Sequence, residues 1–169
     1  FDSFGFYRAL ISYEIVEDKT IFNIKKDEQI KISSIKIEDE YKNIIDLKVN
    51  DGFKASNFTN SKKNIYKYLG EKGYAKGILD AKAYVDLDEY KVDIEYQITK
   101  NNLQYFGEVS IQNDAKIETA FLEKNIQIKK GQTYNSNLID KTYENLYNFG
   151  IYKYIAIEPN LDTQNDIIP

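Results

Sequence analysis

Short stretches of the chain alternate between apolar and polar residues, and turn signals separate these stretches. Every second residue is apolar in residues 79–85, and after Asp88-Glu89 the same alternation continues through residues 92–98. A period of two indicates a β-hairpin with one covered face and one solvated face. Residues 9–24 alternate in a similar way around a turn at residues 17–19, and they predict an earlier hairpin.

Other segments carry apolar residues at helical spacing. Phe58, Ile65 and Leu69 share one face of a helix predicted from about residue 57 to residue 73, and residues 138–149 show the same spacing. A shorter helix is predicted ahead of each of these, near residues 41–49 and 117–124. Alternating residues at 30–37 and 104–111 predict a strand before each short helix.

Glycines mark an internal repeat. Three of them follow an apolar helix face and precede an alternating stretch, which is where a residue without Cβ can end a helix in the left-handed conformation. An earlier pair, placed before the second helices, supports the same register. The three repeat glycines are Gly5, Gly73 and Gly150, and the earlier pair is Gly52 and Gly131.

The repeat divides the chain into one partial unit and two larger units. Residues 1–27 hold only the end of a helix and a hairpin, so the chain begins inside a repeat. Residues 28–101 predict a complete strand-helix-helix-strand-strand unit, and residues 102–169 predict the same order without the last strand. We expect that strand beyond Pro169. The connections near residues 25–29 and 100–103 lack Gly and Pro, which predicts restricted hinging.

Composition excludes several kinds of chemistry. The chain has no Cys, His, Met or Trp, which excludes thiolate and imidazole catalysis, nitrogen- or sulfur-ligated zinc and disulfides. The net charge is −4, and Arg8 is the one arginine among 23 basic residues, so the charge pattern of a nucleic-acid-binding protein is missing. No apolar run approaches the roughly 20 residues that a membrane-spanning helix needs.

Acidic clusters are the remaining candidates for a catalytic or metal site. Asp86, Asp88 and Glu89 could bind Ca²⁺ through oxygen, but they lie where a hairpin must turn, and turn chemistry is favoured. The Glu-Asp-Glu run at residues 38–40 could supply the carboxylate pair of a glycosidase, but a solvated loop at the start of a helix is favoured. We therefore predict no catalytic, metal-binding or cofactor-binding residues and no cofactor.

Tyrosine is the most unusual part of the composition, with 15 residues of this type. Half-buried tyrosines that cover a thin core are the simpler interpretation. Alternatively, some tyrosines contact an extended apolar and aromatic ligand, since the side chain combines a large apolar face with a hydrogen-bonding tip.

The βααββ order, with a second helix that ends in Leu-x-x-x-Gly-Tyr or Leu-x-x-Phe-Gly-x-Tyr, resembles the polypeptide-transport-associated (POTRA) domain. Tandem copies are similar to the arm of BamA/TamA-type outer-membrane β-barrel assembly factors, and three copies favour the TamA-like arrangement. The resemblance implies an α+β fold, in which each unit is a three-stranded mixed sheet covered on one face by two helices. The Gly that often follows the first strand in this family is absent here.

The resemblance implies a function in scaffolding rather than in catalysis. The chain would be a periplasmic part of a bacterial outer-membrane protein, ahead of a β-barrel. It would bind unfolded outer-membrane proteins or secreted passengers, and a periplasmic or inner-membrane-linked accessory protein, by adding their strands to a sheet edge. Lys82 could equally guard that edge against aggregation. The implied edge-strand residues are Leu79, Ala81, Ala83, Val85, Ile151, Lys153, Ile155 and Ile157.

Two alternatives remain open at this point. The POTRA region of a two-partner secretion transporter carries the same domains but typically two of them. An acidic-site enzyme or a carbohydrate-binding domain would use carboxylates and exposed aromatic side chains. Asp86, Asp88 and Glu89 in one pocket with Tyr84 or Tyr90 would favour this second alternative, whereas their position on a hairpin tip would exclude it.

Overall fold

The chain opens with a two-stranded hairpin whose side chains are exposed on both faces. The computed structural model describes residues 1–114 and 117–169. After a 3-10 turn at Asp2–Phe4, β1 (Leu10–Val16) pairs antiparallel with β2 (Lys19–Lys25). This confirms the hairpin predicted for residues 9–24.

A three-stranded sheet follows, in which the last strand along the chain takes the central position. Its strands are β3 (Lys31–Lys36), β4 (Ile78–Asp86) and β5 (Lys91–Thr99), in the order β3-β5-β4. β3 and β5 are parallel, with a register shift between Ile32 and Ser34 that marks a β-bulge. Because β5 is central, its inward side chains are the most deeply buried of the sheet.

One long helix supplies the other half of this core. α1 (Ala55–Glu71) begins after the loop that carries Phe53, and the ring of Phe58 lies 5.8 Å from that of Tyr96 on β5. Burial of apolar side chains is the main stabilising contribution here. The buried apolar residues of this part of the chain include Ile30, Ile32, Tyr41, Leu47, Phe53, Ile65, Val92, Ile94 and Tyr96.

The first of the two helices expected in this unit is much shorter than predicted. A 3-10 turn at Asp39–Tyr41 replaces the helix expected near residues 41–49. Side chains of α1 satisfy the backbone of the following segment, because Ser61 accepts the Asp46 N–H at 2.9 Å and Asn64 donates to the Ile44 carbonyl at 3.1 Å. These groups therefore do not need a helix to find partners.

The second half of the chain repeats the arrangement with shorter elements. They are β6 (Tyr105–Phe106), α2 (Thr119–Glu123), α3 (Ser136–Tyr147) and β7 (Ile167–Ile168). β6 pairs parallel with β7, as β3 pairs with β5. Phe106, Tyr134 and Ile168 form the buried cluster, with the first two rings 5.0 Å apart.

Two strand predictions for this half need correction. The strand expected over residues 104–111 is limited to β6, and Val109, an apolar residue within that range, is 46% exposed. The last strand does not lie wholly beyond Pro169, since β7 takes the place relative to β6 that β5 takes relative to β3. β6 and β7 pair with each other over these two residues.

The chain forms two compact units whose bounds differ from the sequence repeats. The first consists of Phe1–Ile65 and Leu79–Ile98, and the second of Tyr66–Ile78 and Thr99–Pro169. The first unit joins residues 1–27 to most of the second repeat, and the second unit joins residues 66–78 of the second repeat to the third repeat. The boundaries at residues 27 and 101 remain a prediction from the sequence.

Hydrogen bonds reveal the repeat more accurately than the glycines. Phe53 N–H donates to Ile30 O as Tyr134 N–H donates to Gln104 O, both at 2.8 Å. With Phe53 and Tyr134 equivalent, Gly131 corresponds to Asn50 rather than to Gly52. Torsion angles agree, because φ is +78 at Gly131 and +73 at Asn50. The pairing of Gly52 with Gly131 was therefore wrong by two positions, since an Asn can replace Gly in the left-handed region.

Candidate functional site: the β4 edge

β4 is the longest strand at a sheet edge among the described residues. It is nine residues long and has β5 as its only neighbour in the three-stranded sheet. An edge strand leaves every second backbone N–H and C=O without a partner within the sheet. Exposed and half-buried residues alternate strictly along it, and the half-buried set contains Leu79, Ala81, Ala83 and Val85.

The opposite edge of the same sheet is partly closed. Ile32 N–H donates to Asp51 O at 2.9 Å, and Phe53 N–H donates to Ile30 O at 2.8 Å. The loop that leads to α1 therefore occupies the first half of the β3 edge. The bulge between Ile32 and Ser34 interrupts the edge further along, and both features hinder the addition of another strand. β4 is the better platform for strand addition.

The solvated face of the sheet carries short-range charge pairs. Lys36 on β3 donates to Glu95 on β5 at 2.7 Å, and Lys82 on β4 donates to Asp80 at 2.6 Å. The hydrogen bond from Lys36, assisted by one from Gln97, lowers the pKa of Glu95. Lys82 pairs along its own strand, so its charge is held on the solvated face of β4.

The second predicted edge strand is not formed. Residues 151–157 contain no strand, so Ile151, Lys153, Ile155 and Ile157 do not line an edge, contrary to expectation. A β-rich segment becomes a strand only when a partner supplies backbone hydrogen bonds, and no strand of the described residues pairs with residues 151–157. β4 has the nine residues of β5 beside it, whereas β7 is two residues long and bonds to β6.

The acidic clusters serve local structure. Asp86 accepts the backbone N–H groups of Asp88 at 2.9 Å and Glu89 at 3.0 Å, and these bonds lower the pKa of its carboxyl group. The three residues therefore form the tip of the β4–β5 hairpin, the position that excludes the acidic-site alternative. Asp39 pairs with Lys42 at 2.6 Å in the 3-10 turn. Across the described residues, no group of three acidic side chains could hold a metal ion.

Sequence reasoning missed a repeated polar contact on the second helices. Buried Ser61 accepts the Asp46 N–H at 2.9 Å, and buried Thr142 accepts the Gln127 N–H at 3.0 Å. Each hydroxyl also donates to the carbonyl four residues earlier in its helix. A hydroxyl residue on an otherwise apolar helix face, at the same position in both repeats, was the available signal.

The second helix of each repeat makes another contact that occurs in both repeats, through an asparagine side chain. Asn64 donates to the Ile44 carbonyl at 3.1 Å, and Asn145 donates to the Asn125 carbonyl at 3.3 Å. Both asparagines lie three residues after the hydroxyl residue in their helix. The repeat is therefore present in polar contacts as well as in apolar ones, which a chance resemblance of two helix pairs would not produce.

Comparison with known families agrees with this architecture. Residues 104–168 match the POTRA family model, described as a surface antigen variable number repeat. These residues belong to the POTRA family. POTRA domains act as scaffolds rather than as enzymes, in keeping with carboxylates that serve turns and surface pairs. No curated protein matches the sequence.

Solved structures extend the POTRA fold to the rest of the chain. POTRA domains 3–5 of BamA from Haemophilus influenzae align with 98% of this chain and 72% of theirs, with a TM-score of 0.77 and 17% identity. BamA from Haemophilus ducreyi lacking POTRA domains 1–3 aligns with 82% of this chain, with a TM-score of 0.66 and 14% identity. This chain covers 28% of that protein. The expected α+β class and tandem POTRA fold are confirmed.

A shorter relative has a lower similarity score. POTRA domains 1–2 of Omp85 from Anabaena align with 83% of this chain and 92% of theirs, with a TM-score of 0.50 and 13% identity. At these identities the likeness is one of fold. In the described residues of this chain, each helix is too short or too polar to cross a lipid bilayer.

Proposed function

We propose that this chain is part of the periplasmic scaffold of an outer-membrane protein-assembly factor. The POTRA match of residues 104–168 and the fold shared with BamA POTRA domains support this function. Scaffolding also suits a composition without Cys or His and a structure whose carboxylates form turns and surface pairs. The TamA-like arrangement stays a prediction from the number of repeats.

The β4 edge is the proposed binding site for unfolded outer-membrane proteins. A client segment would add a strand beside β4 and pair with its free backbone groups. The observation that carries this proposal is the β3-β5-β4 order, which leaves nine residues of β4 at an edge while the β3 edge is partly closed. Leu79, Ala81, Ala83 and Val85 alternate along this strand.

Main-chain pairing suits a scaffold that handles many clients. Backbone groups are the same in every client, so affinity is nearly independent of client sequence, whereas side-chain pockets would add selectivity. Ala81 and Ala83 are small, and Tyr84 is 55% exposed on the opposite face. An incoming strand with alternating apolar residues therefore meets little steric obstruction, and one aromatic side chain is available to it.

Site-specific photocrosslinking tests the position of the client. We place a benzophenone amino acid at Lys82 on β4 and, in a control variant, at the exposed Lys63 on α1. The probe is a urea-denatured outer-membrane β-barrel protein diluted into buffer containing the full chain. We expect crosslinks from position 82 and few from position 63. Equal yields from the two positions would remove the β4 edge from the mechanism.

Two neighbouring proline substitutions test whether backbone pairing is the mode of binding. Successive residues of a strand direct their N–H groups to opposite edges, so one of Ala83→Pro and Tyr84→Pro removes a free N–H and the other removes a bond to β5. We expect the variant that loses only a free N–H to keep the far-ultraviolet circular dichroism spectrum of the unsubstituted chain. We expect this same variant to bind the denatured client at least fivefold more weakly. Unchanged affinity in the folded variant would contradict strand addition.

A further inference from the structure

Each repeat glycine is followed, three residues later, by a basic residue. The pairs are Gly5 with Arg8, Gly73 with Lys76 and Gly150 with Lys153. The residues between them are apolar or aromatic in every copy. Basic residues make up 23 of 169 positions, so a match in all three copies is not expected by chance. We call this four-residue segment the glycine–cation motif.

The first glycine–cation motif contacts two parts of the following repeat. The carbonyl of Gly5 accepts the Ile30 N–H at 2.8 Å, immediately before β3. The Arg8 guanidinium donates to Asp88 at 2.6 Å, in the turn between β4 and β5, and lies 5.6 Å from the centre of the Tyr90 ring. One motif thus engages the beginning of the first strand and the turn before the last strand.

The second motif makes the same two contacts with different chemistry. The carbonyl of Gly73 accepts the Gln104 N–H at 2.9 Å, immediately before β6. The Lys76 ammonium donates to the carbonyl and the hydroxyl of Thr163, the latter at 3.0 Å, and to the carbonyl of Asn165 at 2.9 Å. These residues lie in the turn before β7, as Asp88 lies in the turn before β5.

We propose that the glycine–cation motif is a docking surface by which the segment after the second helix of one repeat binds the next repeat. Its partner is a strand start that presents a backbone N–H, together with an oxygen-lined turn that leads into the last strand of the same repeat. The two compact units support this inference, because each contains one glycine–cation motif together with the strand start and the turn that the motif contacts. The motif is distinct from the β4 edge, and the proposal does not depend on client binding.

The third motif provides a matched control. Lys153 is exposed, and no hydrogen bond or ion pair links it to any residue that the structure describes. Gly150 has φ +65, close to +81 at Gly5 and +92 at Gly73. A substitution at Lys153 therefore removes the same kind of charge from the same local geometry without breaking a contact of the described chain.

The two docked cations should respond differently to salt. Arg8 pairs with a carboxylate that is 91% exposed, so dissolved ions screen this contact. Lys76 is half-buried and donates to neutral oxygen atoms, so its contact depends less on ionic strength. Docking of the second motif is consequently expected to persist at about 0.5 M salt when that of the first has weakened.

Amide hydrogen exchange in the full chain tests the proposal residue by residue. The variants are Arg8→Gln, Lys76→Gln and Lys153→Gln, and the reporters are the amides of Ile30 and Gln104. We expect Lys76→Gln to speed exchange at Gln104 about tenfold while leaving Ile30 unchanged, because a local opening releases the Gly73 carbonyl bond. Arg8→Gln should act on Ile30 alone, by about threefold, since its pair is exposed.

Control variants separate docking from general destabilisation. Lys153→Gln should change neither amide, and Lys76→Arg should restore most of the protection at Gln104. Equal exchange at Gln104 in Lys76→Gln and Lys153→Gln would overturn the proposal. Faster exchange at both reporter amides in every variant would overturn it too, because that result indicates global unfolding rather than release of one docked segment.

Discussion

Backbone torsion at single residues explains where the helices end. Gly73 follows α1 with φ +92, and the Tyr74 N–H donates back to the Leu69 carbonyl at 2.8 Å. A Cβ at Gly73 would lie 2.9 Å from Thr133 and 3.0 Å from Leu103. Gly73 is therefore required for two reasons, its positive φ and the lack of space for a Cβ. The sequence pattern alone does not separate these two reasons.

Alanine substitutions separate these two requirements. Gly131 has φ +78, and a Cβ added to it would meet no atom within 4 Å, so Gly131→Ala isolates the torsional cost of about 1 kcal/mol. Gly73→Ala adds steric overlap, and we expect a total loss of roughly 2 to 3 kcal/mol. Urea denaturation of both variants measures the difference. Equal losses would show that Thr133 and Leu103 move aside freely.

A buried phenol makes stability depend on alkaline pH. Tyr96 is 4% exposed, and burial raises its pKa to about 12, compared with about 10 in an unfolded chain. Between pH 10 and 12 the unfolded state loses this proton first, so the free energy of unfolding falls as pH rises, by roughly 3 kcal/mol in total. Below pH 10 this contribution is constant.

Replacing the phenol tests this pH dependence. Tyr96→Phe should flatten the fall in stability between pH 10 and 12, measured by urea denaturation at several pH values. Tyr84→Phe, which removes a hydroxyl from an exposed side chain of the same sheet, provides the comparison for all other titrating groups. A slope in Tyr96→Phe equal to that of the unsubstituted chain would show that the phenol ionises without unfolding.

At the scale of elements, a β-rich pattern is realised only where a neighbouring strand exists. β4 and residues 151–157 occupy the same position in the repeat, follow equivalent glycines and have similar alternation. Only β4 forms a strand, and in the described residues it has the nine-residue β5 beside it, whereas β7 bonds to β6. The difference is one of pairing rather than of local propensity.

Exchange rates should reveal this difference between the two segments. We expect amides that bond β4 to β5 to exchange at least a hundredfold more slowly than amides of residues 151–157, since unpaired backbone exchanges without an opening step. Hydrogen exchange with mass spectrometry resolves peptides from the two segments in one experiment. Comparable protection would mean that residues 151–157 have a backbone partner in solution.

Helix length shows a second effect at this scale. α1 has 17 residues and α3 has 12, although their buried hydroxyl residues, Ser61 and Thr142, occupy equivalent positions. The extra turn of α1 moves its final glycine relative to the polar contacts. Spacing between repeat glycines is therefore a poor guide to register.

At the scale of the whole molecule, one apolar surface stands out. Ile11, Tyr13 and Ile15 of β1 lie on the same face as Phe22 and Ile24 of β2, and each is at least 50% exposed. In the three-stranded sheet, the corresponding inward face of β5 is buried, with Phe58 of α1 packed against Tyr96. The hairpin thus has the alternating pattern of a covered sheet, and this face is exposed among the residues that the structure describes.

The amino-acid sequence by itself determined the two hairpins, the two long helices, the positions of their turns and the absence of thiol and imidazole chemistry. Alternation in residues 79–98 and the glycines after the second helices were sufficient for this, because period and torsional preference are local properties. The sequence of the repeated unit also predicted the POTRA fold. The docking segments Gly5–Arg8 and Gly73–Lys76 were visible only as glycines of a repeat.

Only the tertiary structure decided which segments pair and which edge stays open. The loop at residues 50–53 closes part of the β3 edge, β5 enters between β3 and β4, and residues 151–157 remain without a strand. None of these outcomes depends on local propensity. Each depends on backbone hydrogen bonds between residues far apart in the chain, whose formation requires a partner of sufficient length at the right distance.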